Sequence, residues 1–242
     1  MPSIPLVCRG SLTKSALFAT FLTAAVLAPL PLSAANIVID GSFESPVVGP
    51  GGYQSGFQTF APGSVIDGAW TVTGPSGSNV AVYPSSETVG SPATHLNVQQ
   101  GAQALDLTGD ADNGSASGVR QTLATNAGTK YSLSFYVGSY NSQAAQVQVY
   151  LDGALFQSAT GQVTSGYTTT WTGFQYNFTA SGSATTLSFV ENVPSGVTLA
   201  GLDNVSVAAQ SAAAAPEPAS LALLVLGIPL LFLASRRLLR SH

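Results

Sequence analysis

Alternation with a period of two residues governs the middle of this chain. From Lys130 to Val137 the order Lys-Tyr-Ser-Leu-Ser-Phe-Tyr-Val puts Tyr131, Leu133, Phe135 and Val137 on one face, because successive side chains of an extended strand point to opposite sides. Gln146 to Leu151 repeats the pattern, with Val147, Val149 and Leu151 inward and Gln148 and Tyr150 outward. Asp152-Gly153 follows at once and predicts a two-residue type I′ hairpin, returning through Ala154 to Thr160. Trp171 to Thr179 sets Phe174, Tyr176 and Phe178 on one side. Further strands are predicted at Asn36 to Phe43, Ala69 to Thr73, Ala104 to Leu107, Val119 to Leu123, Thr185 to Val190 and Leu202 to Ala208, with turn-rich stretches between them. No amphipathic helical pattern of useful length occurs in this region. About ten short strands in roughly 175 residues predict an all-β, two-sheet β-sandwich, a jelly roll.

The two ends follow other rules. Arg9 and Lys14 precede an apolar run from Ala16 to Leu32, and Ser33-Ala34-Ala35 supplies the small residues that a signal peptidase needs. Residues 1–35 are therefore expected to be a signal peptide, with an uncleaved N-terminal anchor as the alternative. At the other end Pro216-Glu217-Pro218-Ala219-Ser220 leads into an apolar stretch from Leu221 to Ala234, closed by Arg236, Arg237 and Arg240. A transmembrane segment is expected at about 219–235, with the arginines holding its end in the cytoplasm. Between lie one domain, residues 36–208, and an Ala-rich linker, residues 209–215.

Subtracting the ends changes what composition says. Five of the seven basic residues lie in them, so the middle keeps Arg120 and Lys130 against ten acids, a net charge near −8 rather than −4. Such a surface repels phosphate backbones and excludes nucleic acid as a partner. The single cysteine, Cys8, precedes the N-terminal apolar run. The domain thus has no disulfide framework, thiolate metal site or cysteine nucleophile.

The three-part C-terminus resembles the PEP-CTERM sorting signal of Gram-negative bacteria. Pro216, Glu217 and Pro218 match its motif, and Arg236 and Arg237 match its basic stop. The resemblance implies recognition by an exosortase-type processing enzyme after export, with the inner membrane holding the chain beforehand. The cell surface or extracellular space is then the expected destination; a permanent C-terminal anchor is the alternative.

The middle resembles galactose-binding-like jelly rolls of carbohydrate-binding modules and of a plant cell-wall-associated family. Asp40-Gly41-Ser42-Phe43-Glu44 is similar to their opening strand, Trp70 to the tryptophan that follows, and Gly101-Ala-Gln-Ala-Leu-Asp-Leu107 to an internal strand. Gly118 to Leu123 and Gly128 to Phe135 match their core pattern, and Leu202-Asp203-Asn204-Val205 the closing strand. These motifs are mainly core architecture and speak to fold more than to activity. The resemblance implies a structural calcium ion held by Glu44 and Asp203 with help from Asp40; calcium takes six to eight hard oxygens. The alternative is that these carboxylates cap strand ends through backbone amides.

No catalytic residue is expected. The domain's one histidine, His95, lies beside Pro92 without a Ser/Asp constellation, and nothing singles out a carboxylate pair for glycoside hydrolysis. Asp110-Ala-Asp112-Asn113-Gly114 fails as a calcium loop, since its sixth position is Ser115 and its twelfth Gln121. Sugar recognition needs flat aromatic faces with amide partners, and Tyr53, Tyr140 and Asn141 are the expected carbohydrate-binding residues; Trp70 and Trp171 are expected in the core. The leading expectation is an exported, non-catalytic protein associating with exopolysaccharide at the surface or in the matrix. A self-associating matrix protein without a sugar site is the alternative, and a glycoside-active enzyme is third.

Overall fold

A computed structural model describes residues 34–49, 56–89, 94–110, 116–163, 166–194, 196–197 and 199–210. Residues 1–33 of the expected signal peptide, residues 211–215 of the expected linker, the expected C-terminal sorting segment, Tyr53 and Asp112 lie outside the described residues. Fourteen strands lie among the described residues: β1 (Gln58–Phe60), β2 (Val65–Ile66), β3 (Trp70–Thr73), β4 (Val80–Pro84), β5 (Thr88–Val89), β6 (Thr94–His95), β7 (Gln103–Asp106), β8 (Gly118–Ala124), β9 (Lys130–Tyr140), β10 (Gln146–Leu151), β11 (Ala154–Thr160), β12 (Thr169–Thr179), β13 (Ala184–Glu191) and β14 (Ala200–Ala209). Among the described residues no helix is long and apolar enough to cross a membrane.

The strands form two six-stranded antiparallel sheets. Sheet I has the order β1-β4-β7-β14-β9-β12, sheet II the order β11-β10-β13-β8-β3-β2, and β5 and β6 make a separate ribbon. The fold is the expected two-sheet sandwich of jelly-roll type. Its core is made where the alternating faces meet: Leu133, Phe135 and Val137 of β9 and Val147 and Val149 of β10 are fully buried. Phe135 meets Phe189 edge to face at 4.9 Å, and Trp70 packs 5.6 Å from Phe43 and 6.2 Å from Phe189. Truncating such a side chain costs about 3–5 kcal/mol. Asp152 and Gly153 both have positive φ, 51° and 81°, and join β10 to β11 as the predicted type I′ hairpin.

Two expectations need correction. Asn36 to Phe43 is not a strand; it contributes only a bridge from Asn36 to Ala208. Asp40 and Phe43 have φ of 48° and 54°, so the chain turns there. Asp40 Oδ1 accepts the Glu44 amide at 2.8 Å, and the Gly41 carbonyl accepts from Val205 N at 2.7 Å. Trp171 is not in the core between the sheets. It is half-buried on the outer side of sheet I, packed against a second cluster of Tyr83, Leu96, Ala104, Tyr140 and Leu199. That cluster exists because the segment carrying Leu96 and Val98 lies over the outer face. The same cover explains β4, which is buried along its whole length and shows no inside-outside alternation.

Candidate functional site

The segment entering β7 is held by two carboxylates distant in sequence. Asp203 Oδ2 accepts the amides of Gln99 and Gln100 at 3.0 and 2.9 Å, and its Oδ1 accepts that of Asn204 at 2.6 Å. Glu44 Oε1 accepts the amides of Ala102 and Gln103 at 2.9 and 3.2 Å. Gly101 lies between the two grips at φ +71°, where a β-carbon would stand 2.0 Å from Glu44 Oε1. Gln103 completes the arrangement by donating Nε2 to the carbonyls of Phe43 and Pro46 at 2.7 and 3.0 Å. The opening motif, the segment 99–103 and the closing strand are thereby tied together.

The electrostatics of this clamp follow from burial. Asp203 is fully buried, and loss of water pushes its carboxyl up to about 7 against the pull of three amide donors, with Glu44 adding to the rise. Burial also raises Asp40, opposed by amide hydrogen bonds from Glu44 and Ser45. Its Oδ2 is a buried oxygen with no hydrogen-bond partner among the described residues. As a calcium site the set fits poorly. Glu44 and Asp203 direct oxygens at N–H donors, and among the described residues no group of three or more Asp, Glu, His or Cys side chains is placed to hold a metal ion. The contacts observed are those of the backbone-capping alternative.

Of the expected sugar residues, Tyr53 lies outside the described residues, and Tyr140 and Asn141 are neighbours at the end of β9. Tyr140 is 3% exposed and wedged in the outer cluster, so its ring offers no free face. Asn141 follows it in a turn at φ 51°, closed by the Tyr140–Gln143 bridge. His95 pairs with Thr88 across the β5–β6 ribbon.

An aromatic surface lies instead on sheet I's outer face, toward its β9–β12 side. Strands β9 and β12 pair without a break from Thr169↔Tyr140 to Thr179↔Lys130, which sets Trp171 opposite Gly138 and Gly173 opposite Tyr136. Each aromatic lies over glycine. A β-carbon on Gly173 would stand 3.0 Å from Tyr136 Cε1, and one on Gly138 would stand 3.0 Å from two ring atoms of Trp171. Gly201 of β14 extends the floor, 2.9 Å from Trp171 by the same measure. The indole Nε1 donates to the Asn97 carbonyl at 3.1 Å, fixing the ring. Beside Tyr136 opens a cleft of about 360 Å³ lined by Ser134, Tyr136, Gly173, Phe174, Gln175 and Asn204. Asn204 stands there because a bulge interrupts the β14–β9 register between Asp203 and Ser206, with Asn204 at φ 51°, a conformation asparagine tolerates. Sequence reasoning missed Tyr136. The available signal was a bulky ring flanked on its strand face by the small residues Ser132, Ser134 and Gly138.

A second open groove, about 500 Å³, lies on sheet II and is lined by Ala69, Thr71, Arg120, Gln121, Thr122 and Thr186. Neither groove is lined by a carboxylate or a histidine.

Among solved structures the chain is similar to TmCBM61 in complex with beta-1,4-galactotriose, at 15% identity over 73% of this chain and 100% of that one, with a TM-score of 0.43. It is similar to CBM35 from Paenibacillus barcinonensis at 16% identity over 63% and 99%, TM-score 0.38, and to a family 16 carbohydrate-binding module at 18% over 71% and 99%, TM-score 0.37. No curated protein matches the chain. A family model described as "Protein of unknown function (DUF642)" matches residues 36–207.

Proposed function

The chain belongs to the DUF642 family of proteins of unknown function, and within it we propose that this member is an exported, non-catalytic protein whose sandwich holds polysaccharide on the outer face of sheet I. The observation that carries this reading is the pair of aromatic rings laid over glycine, Tyr136 on Gly173 and Trp171 on Gly138 and Gly201. Glycine removes the side chains that would tilt or hide the rings. A sugar ring presents a flat, largely C–H face to such a surface, and the amides of Gln175 and Asn204 and the hydroxyl of Ser134 stand at the same cleft to receive its hydroxyls. The carboxylates Asp203 and Glu44 are used to hold backbone, which supports binding rather than hydrolysis.

The termini supply the destination in this reading. The N-terminal segment sends the chain out of the cytoplasm, and the Pro216-Glu217-Pro218 tail passes it to an exosortase-type enzyme that delivers it to the surface or the matrix. The test is retention of the chain on exopolysaccharide and on a glycan array, comparing the wild type with Tyr136→Ala. Retention that drops with the ring removed supports the site. Absence of retention on every glycan, or retention unchanged by Tyr136→Ala, sinks it.

A further inference from the structure

The two sides of the sandwich end differently. On one side the edges are β1 and β2, only three and two residues long, and short edges offer little to pair with. On the other side the edges are β11 and β12, seven and eleven residues long. They lie together there, with Phe156 of β11 in edge contact with Tyr176 and Phe178 of β12 at 6.1 and 6.4 Å. Residues 153–190, which contain both strands, carry no Asp, Glu, Lys, Arg, His or Pro. Those are the residues with which soluble proteins blunt an open edge. A bulge breaks the β10–β11 register, whereas β12 runs without one along β9 and, among the described residues, pairs with no other strand.

We propose that β12 is the interaction edge of the domain and that its partner is a second copy of this chain, paired antiparallel across a two-fold axis normal to sheet I. An antiparallel strand pair is self-complementary, so one uncharged strand suffices for both halves of an isologous interface. The inward side chains support the same partner. Phe174 and Tyr176 stack at 6.3 Å and remain only half-buried at the open end of the core; identical rings from a second copy would cover them. The outward positions Gly173, Gln175, Asn177 and Thr179 are exposed and uncharged, so no like charges meet across the axis despite the strongly acidic domain. Such pairing keeps both outer faces on one side and sets two Tyr136 clefts side by side, which raises avidity for a long polymer. The edge pairing does not itself depend on sugar binding.

The experiment uses the full chain with Cys8→Ser and single cysteines at Gln175→Cys, Asn177→Cys or Thr179→Cys, with Gln58→Cys on β1 as the control, cross-linked by a short bismaleimide. The expected result is a covalent dimer whose yield peaks at one β12 position and exceeds the control about tenfold, the ratio that ~1.4 kcal/mol of association free energy produces. Adding a lysine at a neighbouring outward position, Asn177→Lys beside a cysteine at 175 or 179 and Gln175→Lys beside one at 177, is expected to remove that excess, while an unchanged thermal transition shows that the domain still folds. Equal yields at β12 and β1, which association through the apolar ends would produce, overturn the proposal, as does the absence of dimer at all three β12 positions. Glycan retention without cross-linking would leave the sugar site standing and reject the edge alone.

Discussion

Glu44 Oε1 stands 2.0 Å from the point where a β-carbon on Gly101 would sit. The position is closed to every other residue twice over, by the φ of +71° and by the carboxylate that holds the neighbouring amides. Gly128 separates the two effects, since it has φ +78° and nothing within 4 Å of its missing β-carbon. Gly128→Ala is therefore expected to cost only the conformational strain, about 1–2 kcal/mol. Gly101→Ala is expected to add an overpacking cost of about 1–3 kcal/mol and to loosen the clamp. Urea unfolding of both variants checks the difference; equal losses would mean that Glu44 swings away freely.

Asp203 makes the stability of the domain pH-dependent. Burial raises its folded-state value to about 7 from an ordinary 3.8, so between these limits the folded state binds the proton that the unfolded state has released. Its contribution to stability is fully present below pH 3.8 and is lost as the pH rises to about 7 and above. The slope reaches at most about 1.4 kcal/mol per pH unit. Asp40 shifts in the same direction, chiefly through burial. Asp203→Asn is expected to flatten the profile between pH 4 and 7 relative to the wild type. A wild-type transition temperature that climbs over this range by the amount seen in the variant would contradict the assignment.

Tyr136 and Trp171 are expected to differ in what their removal costs. Tyr136 borders the open cleft, so Tyr136→Ala is expected to weaken polysaccharide binding about tenfold or more, as a central anchor does, with little loss of stability. Trp171 also covers Gly138 and Gly201 and packs on the outer cluster. Trp171→Ala is expected to lower stability by about 2–4 kcal/mol as well as binding. Affinity electrophoresis alongside thermal melts distinguishes the two patterns.

Calcium is expected to change little. An ion at one hundred times its dissociation constant would add about 2.7 kcal/mol to the folded state. With Glu44 and Asp203 already receiving amide hydrogens, millimolar calcium and chelator are expected to give the same transition temperature. A rise of several degrees with calcium, abolished by Glu44→Gln, would show that the clamp reorganises around a cation.

The alternating runs were legible in the chain because each strand's two faces are written in its own residues. The inward set on β9, the Asp152-Gly153 hairpin and the buried Trp70 needed no knowledge of neighbours. Trp70 shows the limit of that reasoning when set beside Trp171, equally bulky and equally expected inside. Only the pairing of β12 with β9 and of β14 with β9 puts glycines under Trp171, and only the overlying segment with Leu96 and Val98 buries Tyr140.

Glu44 and Asp203 follow the same division. The family resemblance marked both residues as calcium ligands, with amide capping as the alternative, but their shared grip on residues 99–103 spans more than fifty residues on one side and about a hundred on the other. A period of two states which side of its own strand a residue faces. It carries no information about which loop covers that side, which amide meets a distant carboxylate, or which edge is left open. Strand content, the hairpin and an acidic, cysteine-free domain are thus properties of the chain read in order. The glycine-floored aromatic surface, the clamp and the edge position of β12 among the described strands come from long-range packing, where contacts between remote segments decide what each face meets.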